Sequence, residues 1–332
     1  MNTKIVYALI ADRKGFFLFE TWASIYSLRI YEPDRFVCVC CDKETSEYIR
    51  EYPELVKLIN EIIVVPVPES YSNAQRSREI KTSVRKHVEG NLLFVDTDTI
   101  ICGSLEYIDN LKCDVAAVPE FHMHLNNSLY RDKYISSVKN FFGDDICDAS
   151  CQFNSGVIYA ADTPRAHELY ERWHNNWYES AIQTGVNKRT ADQPPLTKSD
   201  KDMGYIIEEL PGEYNCQMAL SVKHFHEARI IHFIHFGLLP IPDNSFLDRS
   251  IYKQIKDDGG ITETTARLIR HCKSAFVTPS AIIDGKAIDF LLSNPGHVFL
   301  SIYKNGGWML SLMNKIASVF ARILHKKGIS VW

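Results

Sequence analysis

The 332-residue chain is 45% hydrophobic and 23% charged, the composition of a globular protein of one large or two smaller domains with enough apolar residues for a sizeable core. Its net charge of −4 is unevenly placed: residues 301 to 332 carry five basic side chains and no acid, which leaves the remainder near −9, from 32 basic against 41 acidic residues. An acidic body of this kind argues against a nucleic-acid binder, which needs a basic face for phosphates, and no apolar run reaches the ~20 residues of a membrane-spanning helix.

The N-terminus, Met1-Asn2-Thr3-Lys4, runs directly into a strand-like segment and has none of the features of a signal peptide. Lys4 to Ile10 is an apolar run, Gly15 to Tyr31 has helical length, and Arg35 to Cys41 is a second apolar run. Glu44 to Asn60 is helical in pattern, Glu61 to Val65 strand-like, Arg76 to Glu89 helical, and Asn91 to Val95 a strand. This alternation predicts βαβ units: an α/β fold with a mostly parallel sheet, helices on both faces, and ligands at the carboxyl ends of the strands. Asp114 to Pro119 is a further strand, and Glu120 to Ser150 is a polar, aromatic excursion expected to face substrate. Phe153 to Ala160 is a strand, followed by a helix from Pro164 to Gln183 capped by Asp162 or Thr163. Thr184 to Asp200 reads as a second polar loop, and Arg229 to Phe236 as a strand-like run containing His232 and His235. The nine cysteines are odd in number and scattered, the pattern of reduced thiols in a cytoplasm. Cys147 and Cys151 have the spacing of half a zinc site, but no second pair accompanies them, and they are read as structural.

The most informative segment is Asp96-Thr97-Asp98-Thr99, directly after Leu92-Leu93-Phe94-Val95. On an extended segment, residues two apart point the same way, so Asp96 and Asp98 would present both carboxylates to one cation, with Cα atoms ~7 Å apart. A hard divalent ion held in this way keeps open positions for phosphate oxygens, which makes a diphosphate the first ligand to consider.

Four segments carry a family resemblance: Leu93-Phe94-Val95-Asp96-Thr97-Asp98-Thr99, Phe153-Asn154-Ser155-Gly156-Val157, Asp192-Gln193, and Arg229-Ile230-Ile231-His232-Phe233. In this order they resemble the family 8 nucleotide-sugar glycosyltransferases of the GT-A fold, the group of glycogenin and the bacterial lipopolysaccharide galactosyl- and glucosyltransferases. The resemblance spans roughly residues 4 to 240. It implies that Asp96, Asp98 and a histidine, His232 or its rival His235, hold Mn²⁺ or Mg²⁺, and that a UDP-sugar is the donor. It assigns Lys81, with Arg78 one turn earlier, to the donor's sugar or phosphates, and Thr97 to the same site. Ala8, Leu9 and Asp12 are assigned to the base, Asn154 to sugar hydroxyls, Asp192 to a donor hydroxyl, and Gln193 to the face where a nucleophile would sit. An amide is a poor nucleophile, which accords with the family's proposed front-face retaining mechanism. In that mechanism a diphosphate oxygen helps deprotonate the acceptor. The Lys-Pro-Trp that usually follows the family's histidine is replaced by Leu238-Leu239-Pro240. Arg85 and Lys86 are read as a solvated helix face.

A C-terminal extension from 241 to 332 contains a segment, 308 to 325, that sorts on a helical wheel. Trp308, Met309, Leu312, Met313, Ile316, Val319, Phe320, Ile323 and Leu324 share one face, and polar and basic residues share the other. A basic amphipathic helix without acids predicts a peripheral association with an anionic membrane surface, here the cytoplasmic face, where a lipid-linked saccharide would be the acceptor. Two other functions fit parts of the sequence. A haloacid-dehalogenase-type phosphatase would use Asp96 and Asp98 together with the acidic segment Gly143 to Asp148, and a non-catalytic carbohydrate- or partner-binding sheet would use neither.

Overall fold

The computed structural model describes residues 3–183, 191–218, 223–234, 246, 249–275, 290 and 293–326. Its strands are β1 (Lys4–Leu9), β2 (Val37–Cys41), β3 (Glu61–Val64), β4 (Leu92–Val95), β5 (Thr99–Ile101), β6 (Val115–Pro119), β7 (Phe153–Ala160), β8 (Ile207–Glu209), β9 (Cys216–Gln217) and β10 (Ile230–His232). The helices are α1 (Phe17–Tyr31), α2 (Lys43–Arg50), α3 (Pro53–Val56), α4 (Asn73–His87), α5 (Arg131–Phe142), α6 (Pro164–Tyr178), α7 (Gln193–Asp202), α8 (Ser250–Asp257), α9 (Glu263–Arg270), α10 (Asn294–Asn305) and α11 (Gly307–Lys326).

Seven strands form the main sheet in the order β3-β2-β1-β4-β7-β6-β8. All run parallel except β7, which is antiparallel to both β4 and β6. The near-continuous apolar runs of β1, β2 and β4 are explained by burial on both faces. Ile5, Tyr7 and Leu9 face a core that includes Phe19 and Trp22 of α1, while Val6 and Ala8 face one that includes Ile80 of α4 and Trp173 of α6. A second, three-stranded sheet, β5-β10-β9, begins where β4 ends, and its antiparallel β5–β10 pairing sets His232 opposite Thr99. The described residues up to 275 belong to one compact unit, and those from 290 onward to another. All nine cysteines are free thiols.

Several elements differ from the sequence reading. Pro53 splits the helix expected over 44–60 into α2 and α3, because a proline ring cannot sit inside a continuing helix. Thr163, not Asp162, caps α6, its hydroxyl accepting the Ala166 N–H, while Asp162 accepts the Gly90 N–H from just before the neighbouring strand β4. Residues 120–150 are more ordered than an open excursion. They contain α5 and a small core of Leu125, Val138, Ile146 and Ala149. From Gln193 onward the supposed second loop is helix α7, with Pro194 and Pro195 in its first turn, where the missing N–H groups have no intrahelical partner to lose. Arg85 is not solvated. It is 2% exposed, donates to the Val88 carbonyl and pairs with Asp162.

In the C-terminal unit, Ser293 caps α10 by accepting the Gly296 N–H. The helix stops at Gly306 and Gly307, whose φ values of 63° and 79° lie in the left-handed region that glycine enters without a Cβ clash. Along α11, Trp308, Met309, Leu312, Ile316, Val319, Phe320 and Ile323 are all exposed. No helix among the described residues is long and apolar enough to cross a membrane.

Asp200 on α7 is 3% exposed and accepts the Ile207 N–H at 3.0 Å. Burial pushes its carboxyl up to about 6, so the folded state binds a proton more tightly than the unfolded chain. Stability should therefore fall as pH rises from about 4 to about 6 and not recover above that range. Asp200→Asn, which keeps an acceptor oxygen and removes the charge, should add about 1–2 kcal/mol near neutral pH and nothing near pH 4. Urea unfolding of both proteins at the two pH values checks this.

Candidate active site

The apolar strand β4 delivers Asp96 to the carboxyl edge of the sheet, but the chain does not stay extended as the Asp-x-Asp spacing suggested. Thr97 and Asp98 form a turn before β5 begins at Thr99. The turn is held from three directions: Asp96 N–H donates to Gly156 O at 2.7 Å, Thr99 Oγ1 donates to Asp96 O at 2.9 Å, and Phe233 N–H donates to Asp98 O at 2.8 Å. These bonds bring both carboxylates to His232, whose Nε2 lies 3.1 Å from Asp98 Oδ1 and 4.0 Å from Asp96 Oδ2. One ligand atom from each of the three residues falls within 4.8 Å of the others.

The far side of the His232 ring is fixed by Asn215. Asn215 Nδ2 donates to Asn154 Oδ1, so its own Oδ1 is the acceptor facing His232 Nδ1, at 3.0 Å. This places the proton on Nδ1 and turns the Nε2 lone pair toward the carboxylates, as a metal-ligating imidazole requires. Burial alone would lower the His232 pKa, but Asp98 and Asp96 raise it, so that without a cation a proton can bridge Nε2 and Asp98. Gly156 makes room for the ring: a Cβ there would stand 2.2 Å from His232 Cε1.

Lys81, 4% exposed on α4, joins this cluster to a second one. Its Nζ lies 3.1 Å from Asp96 Oδ1 and 2.9 Å from Asp192 Oδ2. Arg78, one turn earlier, pairs with Asp192 Oδ1 at 3.2 Å, and Ser155 Oγ donates to Asp192 Oδ2 at 2.9 Å. Against the burial that would raise it, Lys81 and Arg78 hold the Asp192 carboxyl well below the usual range, so it is ionised. The two prolines explain why it is available. An aspartate at a helix N-cap ordinarily accepts the N–H of the second or third helical residue. In α7 those residues are Pro194 and Pro195, which have none, and Asp192 makes no side-chain cap bond. Its carboxylate is left for Lys81 and Arg78.

A third group was not anticipated from the sequence. Glu120, 7% exposed just past the end of β6, accepts from Gln193 Nε2 at 2.6 Å and from Asn154 Nδ2 at 2.8 Å. Burial raises its pKa. Its signal was present but unread: like Asp96, it is a carboxylate immediately after an apolar strand in a parallel sheet. Asn215 lies in none of the segments singled out in the sequence, and Ser155, inside the Phe153 to Val157 segment, was given no role of its own.

Arg78, Lys81, Asp96, Asp98, Asn154, Asp192, Gln193 and His232 thus form one continuous polar network. Other predicted residues lie outside it. Thr97 occupies the turn and is partly exposed. Ala8 and Leu9 are buried, their side chains in opposite cores. Asp12 closes its own loop by accepting from Lys14 N–H, Gly15 N–H and Asn73 Nδ2. His235 and the 238–240 segment lie outside the described residues.

The network contains four carboxylates, of Asp96, Asp98, Asp192 and Glu120, against the two fixed cations of Lys81 and Arg78. Burial raises the Asp96 and Glu120 carboxyls, so a cation bound beside them would be what favours the charged form of Asp96. Two carboxylates and one imidazole suit Mn²⁺ or Mg²⁺ and leave further coordination positions open. The residues present therefore fit a divalent cation.

Comparison with known proteins makes the chain a glycosyltransferase. It belongs to glycosyl transferase family 8, whose sequence profile matches residues 5–237, and it has the GT-A type of α/β fold. Among solved structures it is similar to mouse xyloside xylosyltransferase 1, with 13% identity and a TM-score of 0.46 over 73% of this chain and 99% of that one. It is also similar to the galactosyltransferase LgtC in complex with donor and acceptor sugar analogs, with 11% identity and a TM-score of 0.49 over 79% of this chain and 98% of that one. A third similar structure is the glycosyltransferase GlyE of Streptococcus pneumoniae, with 15% identity and a TM-score of 0.47 over 85% and 67% of the respective chains. No curated protein sequence is a significant match. Family membership sets aside the phosphatase and non-catalytic readings. In the first of these, moreover, the later acidic segment follows helix α5 instead of a strand, and its Asp144 pairs with Lys198 and Lys201.

Gly156→Ala should test the geometry without touching a charged group. Its methyl group must displace the His232 ring, and overpacking of this kind costs about 1–3 kcal/mol. Thermal unfolding should show that loss, and a Mn²⁺ titration should show binding weakened by at least about tenfold.

Proposed function

We propose that this enzyme transfers a hexose from a UDP-sugar to a saccharide acceptor, with Asp96, Asp98 and His232 holding Mn²⁺ or Mg²⁺. The observation that carries this reading is the convergence of those three side chains within 4.8 Å, beside a buried lysine that links Asp96 to Asp192. When bound, a divalent cation supplies charge stabilisation to a departing diphosphate. The chain's own residues do the remaining work. Lys81 and Arg78 are fixed cations for phosphate or sugar oxygens, and donor binding would draw them partly from Asp192. Asp192, kept ionised, accepts a hydrogen bond from a donor hydroxyl and so orients the sugar. Gln193 and Asn154, both tied to Glu120, present amides and not nucleophiles to the reacting centre. This supports retention by a front-face route, in which the acceptor's proton passes to a diphosphate oxygen.

The second part of the proposal concerns place. The exposed apolar stripe of α11, on a helix without acids, supports peripheral binding to an anionic membrane at the cytoplasmic face. A lipid-linked acceptor in surface polysaccharide synthesis fits that position.

A thermal-shift titration with UDP, with and without Mn²⁺, tests the donor site. Ligand at 100 times its dissociation constant should add ~2.7 kcal/mol to the wild type, and Asp98→Ala should abolish the metal-dependent part. No response to any nucleoside diphosphate would overturn the donor assignment. Co-sedimentation with anionic vesicles tests the tail. Binding should weaken with salt and drop at least about tenfold in a Trp308→Ser, Phe320→Ser double variant, since each buried apolar side chain contributes about 1.5–3 kcal/mol. Equal binding to neutral vesicles would remove the electrostatic part of the argument.

A further inference from the structure

Away from the donor network, three side chains of another character meet at the β6–β8 edge of the sheet. Glu209, at the end of β8, has its Oε1 3.3 Å from His124 Nε2, and the Cys151 thiol donates to the same oxygen at 3.4 Å. All three ligand atoms lie within 4.8 Å of one another. Ligands held ~2.0–2.3 Å from a tetrahedral zinc stand roughly 3.3–3.8 Å apart, so two of the three separations already have the required span. The donor set is an imidazole, a thiol and a carboxylate. Its sulfur favours zinc over the hard cations suited to the Asp96 site.

We propose that His124, Cys151 and Glu209 form a zinc site that pins the segment carrying Glu120. Binding ionises the Cys151 thiol and releases its proton to solvent. His124 and Glu209 line a cavity of about 320 Å³, shared with His122 and His224, which leaves a fourth position for water. Cys147, the other half of the sequence pair, is exposed and is not part of the cluster.

The three ligands come from segments that also build the active site. His124 follows Glu120 by four residues, Cys151 precedes Asn154 by three, and Glu209 pairs in register with Ala117 of β6. Between Glu120 and His124 the backbone is strained: Phe121 and His122 have φ values of 52° and 58°, a conformation that non-glycine residues hold only when their surroundings enforce it. The Phe121 N–H bond to Gln217 Oε1 and the His122 bond to Asn215 O supply part of that enforcement. A metal across His124, Cys151 and Glu209 supplies more, at the end of the loop where the Leu125 N–H bond to Ser150 O is joined by a half-exposed ion pair.

The test uses the full chain and Co²⁺ as the probe, in excess Mg²⁺ to occupy the hard site. Wild-type protein should bind Co²⁺ with an intense near-ultraviolet thiolate-to-cobalt band that Zn²⁺ abolishes. The band should be lost in Cys151→Ser and retained in Asp98→Asn, which separates this site from the donor site. His124 is exposed, so His124→Ala should fold normally and weaken Co²⁺ binding by about tenfold or more. Absence of the band in wild type, or its persistence at full strength in Cys151→Ser or His124→Ala, would overturn the proposal.

Discussion

One buried ammonium organises the site. Lys81 sits where Asp96, at the end of β4, and Asp192, at the start of α7, would otherwise face each other across a poorly solvated gap. Two carboxylates so placed repel and gain protons; Lys81, with Arg78 beside it, holds Asp192 ionised, while burial still raises the Asp96 carboxyl against the pull of Lys81. Because Lys81 rides on α4, which packs over β1, the position of that charge is set by the apolar core. Burial, a liability for any ion, is offset by partners on two separate elements. Removing the ammonium would leave Asp96 without a fixed cation and Asp192 with Arg78 alone, the costly case for buried charges.

The remainder of the network is second support. Asn215 reads the ring of His232 on one side and Asn154 on the other, so the cluster at the end of β4 and the Glu120–Gln193 pair are linked through one amide. A side-chain chain of this kind specifies tautomers and amide orientations together, and a partly satisfied version of it would be worse than none. The small β5-β10-β9 sheet matters for the same reason. Its pairing register, and not a local turn preference, sets His232 opposite Thr99 and beside Asp98.

Much of this was readable in the sequence. Strands buried on both faces announce themselves as apolar runs, which is why β1, β2, β4, β6 and β7 were placed within a residue or two, and why Asp96 and Asp98 could be assigned to a strand's end. What escaped notice has a common physical origin. Strands β8 and β9 have three and two residues, too few for periodicity, and are strands only because a partner lies beside them. Helix α7 was hidden by two prolines that usually mark loops but are tolerated in a first turn. Arg85 looked solvated by its charge and is buried by its packing. Glu120, Ser155 and Asn215 earn their places through tertiary contacts a single chain does not display.

The antiparallel strand β7 has a consequence for how such an enzyme can diversify. Pro119 at the exit of β6 is bridged to Phe153 at the entry of β7, so residues 120–152 form an appendage closed at its base by one rung of the sheet. Closing a loop costs free energy that grows only slowly with its length. The appendage can therefore lengthen, shorten or refold while its two anchor points stay still. Changes beyond Glu120 can accumulate on one side of that rung while Asp96, Asp98, His232, Lys81 and Asp192 keep their places on the other.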